Sequence, residues 1–184
     1  MATRARMTAN DLWALGESDL RSELIDGQVV EMPPPGALHG RVTSRVHFRL
    51  AEHVTRHGDG EVLVGDVGFV LRLPTDPERV RGPDLAFISS SRLPEGGLPE
   101  GYLEGAPDLA VEVLSPSDNP VDIQQKVRDF LETGARLVWV IAPKARTATV
   151  YRADGSARLL RDQEVLEGEE VLPGLAISLA EVFL

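Results

Sequence analysis

The sequence predicts an α+β fold in which a mixed β-sheet is flanked by helices. Residues 36–58 and 119–134 repeat apolar residues with the spacing of an amphipathic helix, and short apolar runs typical of strands lie between and after them. The length of 184 residues is enough for one domain with a sizeable core and too short for two. We therefore expect one domain over residues 1–184.

The N-terminal part of the sequence predicts a short helix, a hairpin and a long helix. The short helix covers residues 8–16, and the hairpin covers residues 22–32, because the pair Asp26 and Gly27 suits a two-residue turn. A Pro- and Gly-rich break follows the hairpin. The long helix comes after this break and ends near Gly58.

The rest of the chain predicts two groups of strands separated by a second helix. Asn119 is a natural N-cap for this helix, Pro120 suits its first position, and Gly134 ends it. A long Gly- and Pro-rich loop precedes the last strand of the first group, and the closing segment is either a strand or a short helix. The first group of strands covers 61–65, 67–74, 83–89 and 108–114, and the loop covers 92–107. The second group is a C-terminal β-meander at 136–143, 147–155 and 157–162. The closing segment covers 172–184.

Composition and charge exclude several classes of protein. The chain has no cysteine, so disulfides and thiolate metal sites are excluded, and any metal must be held by oxygen or imidazole ligands. No segment is apolar enough to cross a bilayer, and the N-terminus lacks the apolar stretch of a secretory signal, so we expect a cytoplasmic protein without membrane contact. The net charge of −10 argues against binding nucleic acid over a large surface.

A basic edge on the long helix is one local candidate for contacts with phosphate. Basic residues recur at every fourth position beside an apolar row, so they share one side of the helix. A solvated helix face is the more common meaning of such a pattern, and a grip on a nucleic-acid backbone is the alternative. The basic positions are Arg41, Arg45, Arg49, His53 and His57.

A carboxylate in the middle of an apolar strand is the strongest sign of chemistry. Strand alternation places Glu112 on a face where apolar neighbours are expected, and an ionised carboxylate there needs a cation or a metal ion. Asp108 lies on the same face but about 13 Å away along the strand, too far to share one ion. Asp84 begins the preceding strand, and neighbouring strands are only about 4.8 Å apart. We therefore predict that Asp84 and Glu112 share a divalent cation, although a structural pairing of Glu112 with an arginine is the alternative.

Five blocks of the sequence, in order and spacing, resemble the Uma family of restriction-endonuclease-like proteins, a branch of the PD-(D/E)XK nuclease superfamily. The resemblance covers about residues 8–183, which would form the core, and it implies a restriction-endonuclease-like mixed sheet with an added N-terminal hairpin and the C-terminal meander. The blocks are "ELIDGQVVEMPPPG...HGRV", "GPDLAFIS", "DLAVEVLSPSDN", "QQKVRDFLETGARLVWVIAP" and "VYRADG".

The resemblance also implies site residues and a cofactor. Asp84 would be the aspartate of the PD motif, Glu112 its second acid and Glu23 an auxiliary acid, and the backbone carbonyl of Val113 would complete the shell of a bound Mg²⁺ or Mn²⁺. The superfamily motif has a lysine two residues after the second acid, where this chain has Leu114.

Lys126 is the residue predicted to replace the missing lysine. It lies on the helix after Glu112, about 60° around the helix from Ile123 and therefore at the border of the apolar stripe. In the family that the chain resembles, a lysine on this helix takes that place. An exposed lysine covering the core is the alternative, and Gln124 and Gln125 are weaker candidates for the same role.

His39 lies at the start of the long helix and has two interpretations. It either caps the helix or contacts phosphate, and we favour the cap. Together with Arg41, Arg45 and Arg49 it completes the set of candidate phosphate contacts.

The predicted function is metal-dependent hydrolysis of nucleic-acid phosphodiester bonds, with DNA as the expected substrate. The acidic balance and Leu114 favour an alternative, a catalytically inactive nuclease fold that acts as a dimeric binding or regulatory module. We expect a homodimer in either case, because the C-terminal meander offers strand edges that need cover.

Overall fold

The computed structural model describes residues 6–16 and 20–184, and its centre is a six-stranded mixed sheet. Its strands lie in the order β11-β10-β9-β8-β6-β3, and only the pair β8 and β9 is parallel. The predicted α+β class and C-terminal meander are confirmed. The strands are β3 (Gly60–Val64), β6 (Leu85–Ser89), β8 (Leu109–Val113), β9 (Leu137–Ala142), β10 (Thr147–Arg152) and β11 (Ala157–Arg161).

A second, five-stranded sheet contains the predicted N-terminal hairpin. Its strand order is β2-β1-β5-β4-β7, so the hairpin forms one edge of this sheet. The turn is formed by Asp26 and Gly27, which have φ angles of 52° and 71°, as a two-residue hairpin requires. The strands are β1 (Arg21–Ile25), β2 (Gln28–Met32), β4 (Phe69–Leu73), β5 (Asp76–Arg81) and β7 (Leu103–Glu104).

Two of these strands were not predicted from the sequence. Strand β5 contains alternating charges and a proline, so its sequence does not resemble that of a strand. In the structure its arginines pair with buried acids. Strand β7 has two residues and lies inside the segment predicted as a loop without structure. A single turn of 3-10 helix, Ser90–Arg92, precedes it.

Helix α2 (Ala37–His57) covers one face of the main sheet. Its apolar row of Val42, Val46, Leu50 and Val54 is buried in a cluster that includes Trp139. The closing segment packs into the same cluster and forms both predicted alternatives, strand β13 (Ala176–Ser178), paired with β12 (Val165–Glu167), and then helix α4 (Leu179–Val182).

Helix α3 (Pro120–Glu132) and the second sheet cover the other face of the main sheet. Asn119 accepts a hydrogen bond from the Val121 N–H, so it caps the helix as predicted. Phe130 of α3 and Phe69 of β4 meet in one apolar cluster with side chains of the main sheet. Because α3 and the second sheet cover this face of the main sheet, a polar side chain on it is shielded from solvent.

The first helix packs on the outside of the second sheet. Helix α1 (Ala9–Ala14) buries Ala9 and Leu12 against Leu24 of β1. Among residues 6–16 and 20–184, none of the helices combines the length and the apolar character that crossing a bilayer requires.

Candidate active site

The two predicted carboxylates face each other across neighbouring strands. Leu85 pairs with Val111 in the antiparallel ladder of β6 and β8, and one step further along this register places Asp84 opposite Glu112. Directly opposed residues of an antiparallel pair have Cβ atoms about 4.5–5.5 Å apart. The Val113 N–H donates a 2.7 Å hydrogen bond to Oδ2 of Asp84. The structure therefore brings Asp84 and Glu112 together at the end of their strands.

Asp84 is surrounded by hydrogen-bond donors. Nε2 of His39 lies 3.0 Å from Oδ1 of Asp84, and an Arg21 nitrogen lies 3.4 Å from the same oxygen. Burial acts to raise the pKa of Asp84, but the hydrogen bonds from His39 and the Val113 N–H outweigh burial and lower that pKa. Asp84 is therefore the ionised member of the pair at neutral pH.

Glu112 is held by the ammonium group of Lys126. Nζ of Lys126 lies 2.9 Å from Oε1 and 3.0 Å from Oε2 of Glu112, and it also donates to the Gly82 carbonyl at 2.8 Å. Hydrogen-bond geometry is satisfied at Oε2, whereas Oε1 is buried and has no hydrogen bond among the described residues. The side chain of Lys126 therefore points into the site, as predicted.

The environment shifts the pKa of Glu112 in the direction opposite to that of Asp84. Burial raises the pKa of Glu112 to about 8, and the nearby carboxylates of Asp84 and Glu23 add to the rise, while the Lys126 ammonium opposes it. Two neighbouring carboxyls with opposite pKa shifts are characteristic of sites that hold a proton or a cation between them.

Glu23 completes the set of acids around Lys126. Oε1 of Glu23 lies 2.9 Å from Nζ of Lys126, and Oε2 accepts a 2.7 Å hydrogen bond from Arg81. Burial acts to raise the pKa of Glu23, but Lys126 and Arg81 lower it, so this carboxyl is ionised. Burial acts to lower the pKa of Lys126, but Glu112 and Glu23 raise it, so the lysine is a cation in this arrangement.

A second buried cluster of charges supports the site from α3. Asp129 is fully buried, and both of its oxygens accept hydrogen bonds from Arg79 at 3.0 Å. Arg81 donates to Asp129 at 2.8 Å and to Glu23 at 2.7 Å, so it links this cluster to the site. Lys126 and Asp129 lie one turn apart on the buried side of α3.

The chain is similar to known proteins over nearly its whole length. The model of the Uma2 family, described as "Putative restriction endonuclease", matches residues 9–180. The chain belongs to the Uma2 family. A crystal structure from Anabaena variabilis, titled "a putative nuclease belonging to DUF820", is similar over 96% of this chain and 97% of that chain, with a TM-score of 0.84 and 21% sequence identity. At this identity the likeness concerns the fold alone. No curated protein matches the sequence.

The site of this Uma2 protein fits a divalent cation by its chemistry. Asp84 and Glu112 supply carboxylate oxygens, which are the ligands that Mg²⁺ and Mn²⁺ prefer, whereas Glu23 is engaged by Lys126 and Arg81. The buried Oε1 of Glu112 has no hydrogen bond within residues 6–16 and 20–184, and a buried carboxylate oxygen in that state is suited to a cation. The carbonyl of Val113 as a further ligand stays a prediction.

The sequence did not indicate two further residues of the candidate site, Asp66 and Arg21. Arg21 lies 2.6 Å from Asp66 and reaches Asp84 as well. Burial and the Asp84 carboxylate raise the pKa of Asp66, with Arg21 and Lys126 opposing. A Cβ at Gly82 would lie 2.5 Å from the Asp66 carbonyl oxygen, so a glycine at position 82 lets this turn approach the site. The Gly-Asp pair at positions 65 and 66 indicates only a turn in the sequence.

The interpretation of His39 as a helix cap is wrong. Helix α2 has Gly36 as its N-cap, with no side-chain hydrogen bond, and His39 lies inside the first turn. From there its ring contacts the carboxylate of Asp84, so His39 is part of the candidate site. Its predicted contact with phosphate stays untested.

Other candidates lie away from the two acids. The amide of Gln124 donates to the Tyr151 hydroxyl, and that of Gln125 donates to Asp129. Asp108 is fully buried at the far end of β8, where it accepts from the Ser89 N–H and pairs with Arg92. These contacts give all three residues structural partners.

The basic edge of α2 is only partly available to a ligand. Arg45 donates to the backbone carbonyls of Glu181, Val182 and Leu184, so it fastens the closing segment to α2. Arg49 lies 3.6 Å from Glu52, whereas Arg41 is exposed. As a phosphate contact, Arg41 is therefore better placed than Arg45.

Proposed function

We propose that this Uma2 protein is an endonuclease that uses Mg²⁺ or Mn²⁺ to hydrolyse phosphodiester bonds in DNA. The observation that carries the proposal is the opposition of Asp84, directly before β6, and Glu112 on β8, with Lys126 between Glu112 and Glu23. A nuclease fold and family membership supply the class of reaction. The arrangement of side chains supplies the candidate machinery.

Asp84 and Glu112 would hold the ion, with the Val113 carbonyl as a further ligand. A divalent ion bound there would lower the pKa of a coordinated water and offset negative charge on the phosphate. His39 and the Val113 N–H keep Asp84 ionised and oriented, which prepares one ligand in advance. Glu112 must release its proton or its contact with Lys126 when a cation binds.

Lys126 would act as a positive charge and a hydrogen-bond donor. Because Glu112 and Glu23 raise its pKa, it is not suited to accept a proton from water. Its Nζ can orient the attacking water or stabilise negative charge that develops on the phosphate. Glu23, fixed by Arg81 and the Gly82 N–H, keeps the ammonium group in position.

Nicking of supercoiled plasmid by the purified full chain tests the proposal. We expect nicking with Mg²⁺ or Mn²⁺ and none with a chelator. Asp84→Asn and Glu112→Gln should each reduce the rate to background, because each removes one carboxylate ligand. Asp122→Asn is the matched control, since Asp122 is an exposed acid at the start of α3. Nicking by either site variant at the wild-type rate would overturn the assignment.

The inactive dimeric module is the second candidate, and a specific contact favours it. Lys126 already lies 2.9 Å from Glu112 and from Glu23, so the site is compensated in part without any ion. An inactive module would nick no plasmid, and titration calorimetry would detect no heat of Mn²⁺ binding that depends on Asp84. An enzyme must show both plasmid nicking and a heat of Mn²⁺ binding that depends on Asp84. A homodimer would use the exposed edge strand β11, and sedimentation velocity tests for it.

A further inference from the structure

The C-terminal end of α2 contains a cluster of metal-ligating side chains that the nuclease proposal does not use. His53 and His57 lie one turn apart on the helix, and Asp59 follows directly after its C-terminal glycine. One ligand atom from each of the three side chains lies within 4.8 Å of the others. Such a separation allows all three atoms to coordinate one ion.

The helix itself prepares His57 as a ligand. Nδ1 of His57 lies 2.8 Å from the backbone carbonyl oxygen of His53. A carbonyl only accepts, so Nδ1 carries the proton, and the lone pair of this neutral ring is on Nε2. Ligating histidines in proteins usually donate their other ring nitrogen in this way, which fixes the ring and its tautomer.

His53 supplies the second, independent observation. Its side chain is only 9% exposed, and its Nε2 is buried with no hydrogen-bond partner in the part of the chain that the structure describes. A buried polar nitrogen without a partner is costly, and a ligand removes that cost. The ring of His53 is stacked on that of His57, with 4.2 Å between their centroids, so both rings border the same space.

A cavity of about 160 Å³ adjoins the two rings. It lies between α2 and the segment around Gly174, Leu175 and Ala176, which leads into β13. Its volume is sufficient for an ion and a few water molecules, since one water occupies about 30 Å³ in the liquid. Arg49 and Arg56 also border it, and both pair with Glu52, at 3.6 and 2.8 Å, which offsets one of their two charges.

The cluster is separate from the candidate nuclease site. His39 contacts Asp84 in the first turn of α2, and His53 lies fourteen residues later on the same helix. At 1.5 Å per residue, the two positions are roughly 21 Å apart along the helix axis. An ion at one place cannot share ligands with an ion at the other.

We propose that His53, His57 and Asp59 bind one divalent transition-metal ion, with Zn²⁺ as the best match. Two imidazoles and a carboxylate are the ligand types that Zn²⁺ accepts, whereas Mg²⁺ prefers oxygen ligands alone. Three protein ligands leave the fourth position of a tetrahedral ion to a water from the cavity. The ion fastens the end of α2 to the turn that begins β3.

Titration calorimetry with Zn²⁺ alone, on metal-free full chain, tests the site. We expect one Zn²⁺ per chain in the wild type. His57→Gln and Asp59→Asn should each weaken binding by roughly tenfold or more, since even loss of an outer partner costs about 10- to 100-fold. His47→Gln is the matched control, because His47 lies on the same helix outside the cluster, and it should bind Zn²⁺ like the wild type.

A double variant, Asp84→Asn with Glu112→Gln, separates this site from the nuclease site. It should retain Zn²⁺ binding, and Zn²⁺ should raise its Tm as it raises that of the wild type. Equal Zn²⁺ affinity in wild type and both cluster variants, no binding by the wild type, or loss of binding in the double variant would each overturn the proposal. The nicking assay does not enter this test, so either proposal can fail without the other.

Discussion

Two clusters of buried charge lie side by side under α3, and they differ in how completely their acids are paired. Asp129 accepts hydrogen bonds from Arg79, Arg81 and Gln125, at 2.8 to 3.0 Å. Glu112 has Lys126 as its cationic partner, one of its oxygens has no hydrogen bond among the described residues, and its pKa is raised to about 8. The carboxylate of Asp129 on α3 is thus compensated, whereas that of Glu112 on β8 is under-compensated.

The difference separates a structural ion pair from a site prepared for a ligand. Most buried acids that hold a fold together are fully hydrogen-bonded, because each unpaired group costs free energy. The site instead gathers Glu23, Asp66, Asp84 and Glu112, and Asp84 and Glu23 add to the raised pKa of Glu112. A cation bound among these acids would relieve the repulsion between their carboxylates. A cation bound at Asp129 would relieve no such repulsion.

Asp129→Ala should produce the largest effect on stability. It leaves Arg79 and Arg81 buried without their main partner, and breaking a buried pair in this way costs about 3–5 kcal/mol. Urea denaturation followed by circular dichroism measures the change. Asp122→Ala, at an exposed position on the same helix, should cost at most about 1 kcal/mol. Equal losses for the two variants would contradict the description of Asp129 as structural.

Lys126→Gln should produce the next largest effect, on the rate of nicking and not on metal binding. Removing one positioned donor at a site of developing charge costs about 10²- to 10³-fold in rate. The affinity for Mn²⁺ should not fall, because the variant removes a group that competes with the ion for Glu112. Arg128→Gln, on the exposed side of α3, is the control and should leave both quantities unchanged. Weaker Mn²⁺ binding in Lys126→Gln would show that the lysine supports the ion.

Glu112→Gln should change the pH dependence of stability in the presence of a chelator. The pKa of Glu112 is about 8 in the folded protein against an ordinary value of 4.5, so between these pH values the folded chain keeps a proton that the unfolded chain has released. Wild-type stability therefore falls from about pH 4.5 to pH 8 through this group. Glutamine carries no such proton, so the variant should gain stability relative to wild type, on the order of 1–3 kcal/mol, as pH rises. Urea midpoints at pH 5 and pH 8 measure it, and a constant difference would show that Glu112 is ionised throughout.

The smallest effect should come from Arg41→Ala, which removes one proposed interaction with phosphate. The slope of log affinity for DNA against log salt concentration should become shallower by about 0.9 for each phosphate that the protein no longer neutralises. Arg45→Ala is the contrasting variant, because Arg45 binds the carbonyls of the closing segment and should affect stability instead. Fluorescence anisotropy with labelled duplex DNA measures the slope. An unchanged slope in Arg41→Ala would show that Arg41 does not contact phosphate.

The sequence predicted the pairing of acids because that pairing depends on local rules. Strand spacing and alternation placed Asp84 within reach of Glu112, and helical periodicity, together with the family resemblance, favoured Lys126 at the border of the buried face. The hairpin turn and the N-cap of α3 also follow from single residues, Gly27 and Asn119.

The sequence did not predict contacts that depend on long-range packing. Strand β5 looks polar because Arg79 and Arg81 pair with acids distant in the chain, so its alternation of charge resembles a surface. Arg21 and Asp66 are 45 residues apart and meet only after the second sheet forms. Arg45 belongs to a regular basic edge in the sequence, yet the carbonyls that bind it come from the other end of the chain.

Anomalous diffraction from a crystal soaked in Mn²⁺ tests the central claim most directly. The account predicts one anomalous peak between the carboxylates of Asp84 and Glu112, with the ammonium group of Lys126 displaced from Glu112 but still against Glu23. A crystal of the Asp84→Asn variant should lack the peak. No peak at these acids in the wild type, with Lys126 still bound to Glu112, would contradict the claim that this cluster is prepared for a divalent cation.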